Sequence, residues 1–392
     1  MAHTFKNIAL STFLITSPLA IGALLSTDNI NLTSPLSTPP NTAPSATPSV
    51  IKSIRLDLSS LKEPRDFDRL IDKILSRAQR SSVNTVYISP WSDGLANYQS
   101  NLAELNGFGQ YSFVESFIEQ AHANNIKVFA WFVVGKDNFP ANAHPEWFAQ
   151  TKNGQPLSHE DEPGLFLPMA SLANQEYIDY HLKLIREVNQ LPIDGWVISE
   201  PLMSWGDEYD DDYGDFSPST LATFEQQQTI NPQLTWADFR AQAVTDFVKN
   251  TINHIRSSSD KPVAITLFTE PDKAGNLVSF DQIKNWLGMD IPALASLNPD
   301  YLELQSLFLD FEYPQEPQWT ASMIQQFRQQ LNTDIPLLVS VQGFNSESKR
   351  LSSRDFSQAI VSATEENVAG ISTYAYHTLR SSHWSKLRRL WK

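Results

Sequence analysis

From Ile51 onward, short apolar runs alternate with segments whose apolar residues recur every three to four positions. Runs of four to eight residues suit strands, and the longer period suits amphipathic helices. Ile51–Leu58 opens the series as a strand, with Asp57 near its end. Arg65–Ser81 follows as a helix, with Phe67, Leu70, Ile71, Ile74 and Leu75 on one face. The same reading predicts strands at Asn84–Ser89, Ile126–Val134, Gly195–Glu200, Pro262–Phe268, Tyr301–Gln305, Ile335–Val341 and Val368–Tyr374. Between them it predicts helices at Ser112–Asn124, Asn174–Asn189, Thr235–Ser257, Phe280–Leu287, Ala321–Leu331 and Asp355–Glu366, and a last one at Trp384–Trp391. Thr235, with Asp238 three residues on, reads as an N-cap.

Strands that alternate with helices over some 340 residues predict an α/β protein, a single-domain (β/α)8 TIM barrel over residues 51–392. Nearly unbroken apolar strands such as Ile126–Val134 suit burial on both faces. Long connections follow the second, third, fourth and sixth strands. They therefore gather at one end, the mouth where such barrels keep their ligand sites.

The first fifty residues have another pattern. Lys6 precedes a mostly apolar stretch, Ile8–Leu25, with small residues near Ala23 and Ser26, so residues 1–26 read as an export signal peptide or a membrane anchor. Residues 27–50 are rich in Ser, Thr and Pro with almost no charge, the composition of a disordered linker. The expected location is exported: periplasmic, cell-surface or secreted, with membrane contact only through an uncleaved anchor.

Composition narrows the chemistry. The formal net charge of −15 argues against nucleic acid or an anionic membrane as partner. The chain has no cysteine, which removes disulfides, thiol catalysis and thiolate-held metals. No phosphate-binding glycine loop or His-Glu-x-x-His pattern occurs, and Ser199 lacks the Gly-x-Ser-x-Gly setting of a serine hydrolase. His144 and His159 are scattered. Neither a cofactor nor a metal is expected. Six carboxylates crowd Asp207–Asp215, a stretch read as a solvated loop, or else a calcium site or a contact surface for a cationic polysaccharide; the spacing does not fit an EF-hand loop.

Residues at the predicted strand ends form a set: Asp57, Trp91, Asp93, Trp131, Asp137, Glu200, Glu270, Gln305, Gln342, Tyr374, Tyr376 and His377. Aromatic faces, amides and carboxylates ringing one mouth are what a sugar needs, and glycosidic cleavage needs a carboxyl to protonate the leaving oxygen. Glu200 is the candidate general acid/base, at an apolar strand end near Trp205 that favours a protonated carboxyl. Glu270 is the candidate second catalytic carboxylate, in competition with Asp57, Asp310 and Glu312. The seventh strand ends in Val341-Gln342 and offers none. A mechanism assisted by the substrate's own acetamido group would not require one; Gln342, Asp93 or Tyr374 would then orient that group. Trp91, Trp131, Tyr374 and Tyr376 would form the sugar platform.

Three segments in order, Asn84-Thr-Val-Tyr-Ile-Ser-Pro-Trp-Ser-Asp-Gly94, Ile126-Lys-Val-Phe-Ala-Trp-Phe132 and Asp194-Gly-Trp-Val-Ile-Ser-Glu200, resemble bacterial glycosyl-hydrolase-like barrels. The nearest likeness is to the C-terminal glycosidase domain of PgaB-type poly-N-acetylglucosamine deacetylases. The helix around Phe239–Val248 and the late Tyr374-Ala-Tyr376 add to it. The resemblance implies a (β/α)8 fold, hydrolysis of a partly de-N-acetylated β-1,6-glucosamine polymer, and a catalytic acid at Glu200. Where that family carries an acidic pair after the fourth strand, this chain has Glu200-Pro201. The expected function is thus cleavage of an O-glycosidic bond in a surface or extracellular polysaccharide. The alternative is a non-catalytic carbohydrate-binding or scaffold protein using the same cleft.

Overall fold

Eight parallel strands close on themselves in the computed structural model, which describes residues 50–162, 165–203, 214–309, 313–344 and 351–392. They are β1 (Ile51–Leu56), β2 (Thr85–Ile88), β3 (Lys127–Val133), β4 (Gly195–Ser199), β5 (Val263–Leu267), β6 (Tyr301–Ser306), β7 (Leu337–Gln342) and β8 (Gly370–Tyr374). Each pairs in parallel with its sequence neighbours, and β1 closes the ring by pairing with β8. The main covering helices are α1 (Phe67–Arg80), α2 (Phe113–Ala123), α3 (Gln175–Gln190), α4 (Trp236–Arg256), α5 (Phe280–Leu287), α6 (Trp319–Gln330), α7 (Ser353–Glu365) and α8 (Ser381–Leu390). The chain is a (β/α)8 barrel.

Two kinds of core follow from the alternation of side chains along each strand. Outward positions such as Ile54, Val86, Phe132, Trp196 and Ile265 pack under the helices. Inward positions Tyr87, Phe129, Trp131, Val197, Ala264 and Leu338 make a separate cluster within the ring. Local chemistry sets where β4 begins. The Asp194 carboxylate accepts from the Val128 amide at 2.7 Å and meets His122 Nε2 at 2.8 Å. Gly195 follows because a Cβ there would lie 2.6 Å from the Phe129 ring. At α4, Thr235 is the N-cap, accepting from the Asp238 amide at 3.1 Å.

The periodicity misses three described α-helices, the short Gly107–Gln110 and Ile291–Ser296 and the longer Pro218–Ile230, in what reads as loop. Only Thr220 on the longer one is buried, so no apolar stripe betrays it. Its start is held instead by Asp215, fully buried, which accepts from the Gln150 amide at 3.0 Å and from Thr220 Oγ1 at 2.5 Å. That corrects the solvated reading of the acidic run for its last member; Asp207 to Asp212 lie outside the described residues. So do the expected export segment and all but the last residue of the linker. No described helix is long and apolar enough to cross a membrane.

Behind β3, a buried polar chain joins α3 to α4. Tyr177 Oη donates to Asn138 Oδ1 at 2.8 Å, Asn138 Nδ2 donates to His181 Nδ1 at 2.7 Å, and His181 Nε2 reaches Thr251 Oγ1 at 2.9 Å. This order makes Nδ1 an acceptor, so the ring is neutral with its proton on Nε2. Burial, helped by the charge of His254, pushes the imidazole down from 6.5 to about 3. Unfolding raises its proton affinity, so the stability tied to neutral His181 is complete above about pH 6.5 and lost as pH falls toward the folded value. Wild-type urea stability should drop across that window, with His181 supplying up to about 1.4 kcal/mol per pH unit. A His181→Asn variant should show a shallower slope between pH 6.5 and 4; equal slopes would remove His181 as its source.

Candidate active site at the barrel mouth

Glu200 directly follows β4, and its backbone sits at φ +52°. Such a value is uncommon for a residue with a side chain, and Pro201 next to it disfavours an ordinary helical turn. The strained corner turns a half-buried carboxyl off the strand end. Gln305 Nε2, from β6, donates to Glu200 Oε1 at 2.5 Å. Gln305 is 5 % exposed, and its own Oε1 is buried without a hydrogen-bond partner among the described residues.

A layer deeper lies a feature hidden in the sequence. The Arg55 side chain crosses the barrel from β1 to the opposite wall. It donates to Ser199 Oγ at 3.3 Å and Thr266 Oγ1 at 3.0 Å, and forms an ion pair with Glu303. Thr266 Oγ1 also donates to Glu303 Oε2 at 2.6 Å. The guanidinium lies 5.2 Å from the Trp131 ring centre and 5.9 Å from those of Tyr87 and Tyr374. Ser199 precedes Glu200, and the Thr266 carbonyl accepts the Glu200 amide at 3.2 Å. The ion pair therefore braces the floor beneath Glu200.

On the other side of Glu200, the loops after β2 and β3 lock around Asp137. Its Oδ2 accepts from the Val133 amide at 2.7 Å, and its carbonyl accepts from Gly94 at 2.9 Å. Gly94 has φ +80°, and a Cβ on it would lie 2.5 Å from the Phe139 carbonyl. Burial pushes the Asp137 carboxyl up to about 8; the charges of Asp57 and Asp93 add to the rise, while Lys136 and the Val133 amide oppose it.

Other expected site residues divide. Tyr374 belongs at the mouth, edge-on to Trp131 at 6.4 Å and stacked on Phe344 at 5.8 Å. His377 lies 6.0 Å from Phe344. Phe344 had no signal of its own, since it follows its strand by two residues. Asp93 is exposed in the β2 loop, and Glu270 is half-buried after β5. Asp57 anchors its own turn, accepting from Ser59 Oγ at 2.7 Å and Ser60 Oγ at 2.8 Å. Four roles need correction. Trp91 is 1 % exposed and packs behind the barrel against Phe132 and Trp196, so no face is open to a sugar. Tyr376 turns outward onto Trp384, accepting from Arg77 at 3.3 Å. Trp131 is wedged between Arg55 and Tyr374 and supports the platform from below. Gln342, fully buried, accepts from the Leu309 amide at 3.0 Å and donates to the Phe344 carbonyl at 2.7 Å, so it ties two loops rather than a substrate. Trp205, His159's side chain, Asp310 and Glu312 lie outside the description. Among the described residues, no group of three His, Asp or Glu side chains is placed to hold a metal.

A family model described as "Hypothetical glycosyl hydrolase 6" matches residues 71–200, the span that ends on Glu200. Residues 71–200 are similar to that family, and the fold as a whole is a (β/α)8 barrel. Among solved structures, the PgaB (BpsB) glycoside hydrolase domain from Bordetella bronchiseptica is 15 % identical with a TM-score of 0.66, over 88 % of this chain and 99 % of that one. Alpha-L-fucosidase isoenzyme 2 from Paenibacillus thiaminolyticus is 14 % identical with a TM-score of 0.62, over 87 % of this chain and 49 % of that one. A beta-galactosidase from Rahnella sp. R3 is 12 % identical with a TM-score of 0.63, over 88 % and 56 %. No match was found among curated proteins. Identities this low speak for the fold, and chemistry must be argued from the residues.

Proposed function

We propose that this protein is an exported glycoside hydrolase that cleaves O-glycosidic bonds in an extracellular or surface polysaccharide. One observation carries the reading: a carboxyl on a strained turn at the end of β4, held by Gln305, at the same barrel mouth as the Tyr374–Phe344 aromatic pair at the ends of β8 and β7 on the far side of the ring. Stacking surface and proton-transfer group then sit at one mouth, as glycosidic cleavage requires. Glu200 is a proton-transfer group of the site. A partly de-N-acetylated poly-β-1,6-N-acetylglucosamine is the substrate favoured by the likeness to the PgaB domain and by a net charge of −15, which attracts a cationic glycan.

Pro201, where the resembling family has a second acid, favours the other reading, a barrel that binds glycan without cutting it. The two separate in one experiment. Wild-type protein incubated with that polymer should generate new reducing ends and shorter chains. Saturable binding by calorimetry with no new reducing ends would replace the hydrolase by the binding protein.

A further inference from the structure

Resting on the hydrolase reading, we propose that Asp137 is the general acid that protonates the leaving oxygen, and that Glu200 is its carboxylate partner, which activates water. Position comes first. β3 and β4 are neighbours, with Val133 opposite Ser199. Asp137 is hydrogen-bonded to Val133, and Glu200 follows Ser199, so the two carboxyls hang from adjacent strand ends. Each has one oxygen committed to the scaffold, Asp137 Oδ2 to an amide N–H and Glu200 Oε1 to the Gln305 amide. Gly94 clamps the Asp137 backbone, which fixes where the other oxygen can point.

The surroundings then divide the labour. The charges of Asp57 and Asp93, on the β1 and β2 loops, act on Asp137, and its own charge acts on Tyr177 of α3. Lys136, on its own loop, opposes the two aspartates. Burial and like charges together keep a proton on Asp137 at neutral pH, the state a general acid must start in. Glu200 is held by the Gln305 N–H, a donor that suits an acceptor oxygen. In the reaction the glycosidic C–O bond breaks, and its electron pair takes the Asp137 proton to form the leaving hydroxyl. Water adds to the anomeric carbon as Glu200 removes its proton. Solvent then carries the proton from Glu200 back to Asp137.

The test is Asp137→Asn, whose side-chain oxygen can still accept from Val133, compared with wild type and Glu270→Gln. Substrates are the partly de-N-acetylated polymer and paired phenyl and 2,4-dinitrophenyl β-glucosaminides. Asp137→Asn should lose about 10²–10⁴-fold on the polymer and the phenyl glycoside. It should lose less than about tenfold on the dinitrophenyl glycoside, whose leaving group needs no proton; a merely structural role would depress both alike. The wild-type rate should fall on an alkaline limb near pH 8, where carbon-13 NMR of the Asp137 carboxyl should show its titration. Asp137→Asn within tenfold of an active wild type on the polymer, or a Glu270→Gln variant that alone shows the leaving-group split, overturns this assignment and leaves the hydrolase standing. A wild type that cleaves none of the substrates overturns both.

Discussion

Glu200→Gln is expected to lower polymer cleavage by about 10²–10⁴-fold, the scale of a removed proton-transfer group. The change is close to isosteric. An amide oxygen can still accept from Gln305, and the backbone at φ +52° faces the same constraint with either side chain. The variant should therefore melt within a few degrees of wild type and bind glycan through the Tyr374–Phe344 wall with little change in affinity. Loss of kcat with an unchanged dissociation constant would place Glu200 in the transition state rather than in ground-state binding. Initial rates of reducing-end release, paired with a thermal melt and calorimetry, read all three. Activity within tenfold of wild type would take Glu200 out of the chemistry.

The barrel was legible because its signals are local and repeat. Each strand is a short apolar run, and most helices show an amphipathic stripe. Position at a strand end was legible too, which is why Glu200, Gln305 and Tyr374 were placed at the ends of their strands. The direction of a side chain was less so. Trp91 sits in a two-residue strand paired with Leu95–Ala96, and that small hairpin folds its ring behind the barrel. Tyr376 lies two residues past β8 in a short 3-10 turn, where strand alternation no longer holds, and it faces α1 and α8. Gln342 was placed correctly at the end of β7, but its partners come from loops that no period describes. The deepest omission, Arg55 with Glu303, is a contact between β1 and β6 across the ring. Each residue interrupts an apolar strand by itself, and nothing in the local pattern joins two positions 248 residues apart.

Arg55→Met is expected to cost about 3–5 kcal/mol of stability, because it leaves Glu303 as an uncompensated charge inside the barrel. Both side chains are sealed from solvent, with relative exposures of 2 % and 0 %. Glu303 Oε1 already lacks a partner, so losing Arg55 leaves Thr266 as the carboxylate's one remaining donor among the described residues. Met fills much of the volume and can still lie against Trp131 and Tyr87, so the loss is electrostatic more than steric. Adding Glu303→Gln to Arg55→Met should therefore recover much of the stability, since a neutral amide needs no counter-charge. Urea unfolding of wild type, both single variants and the double variant closes the cycle, and a large coupling between the two sites is expected. Simple additivity would mean that the ion pair is not what secures the floor. The same set tests the link to the site above, because Arg55 grips Ser199 and the floor of the Trp131–Tyr374 wall. The double variant, though refolded, should bind glycan more weakly than wild type, as those aromatic rings lose the cation that positions them.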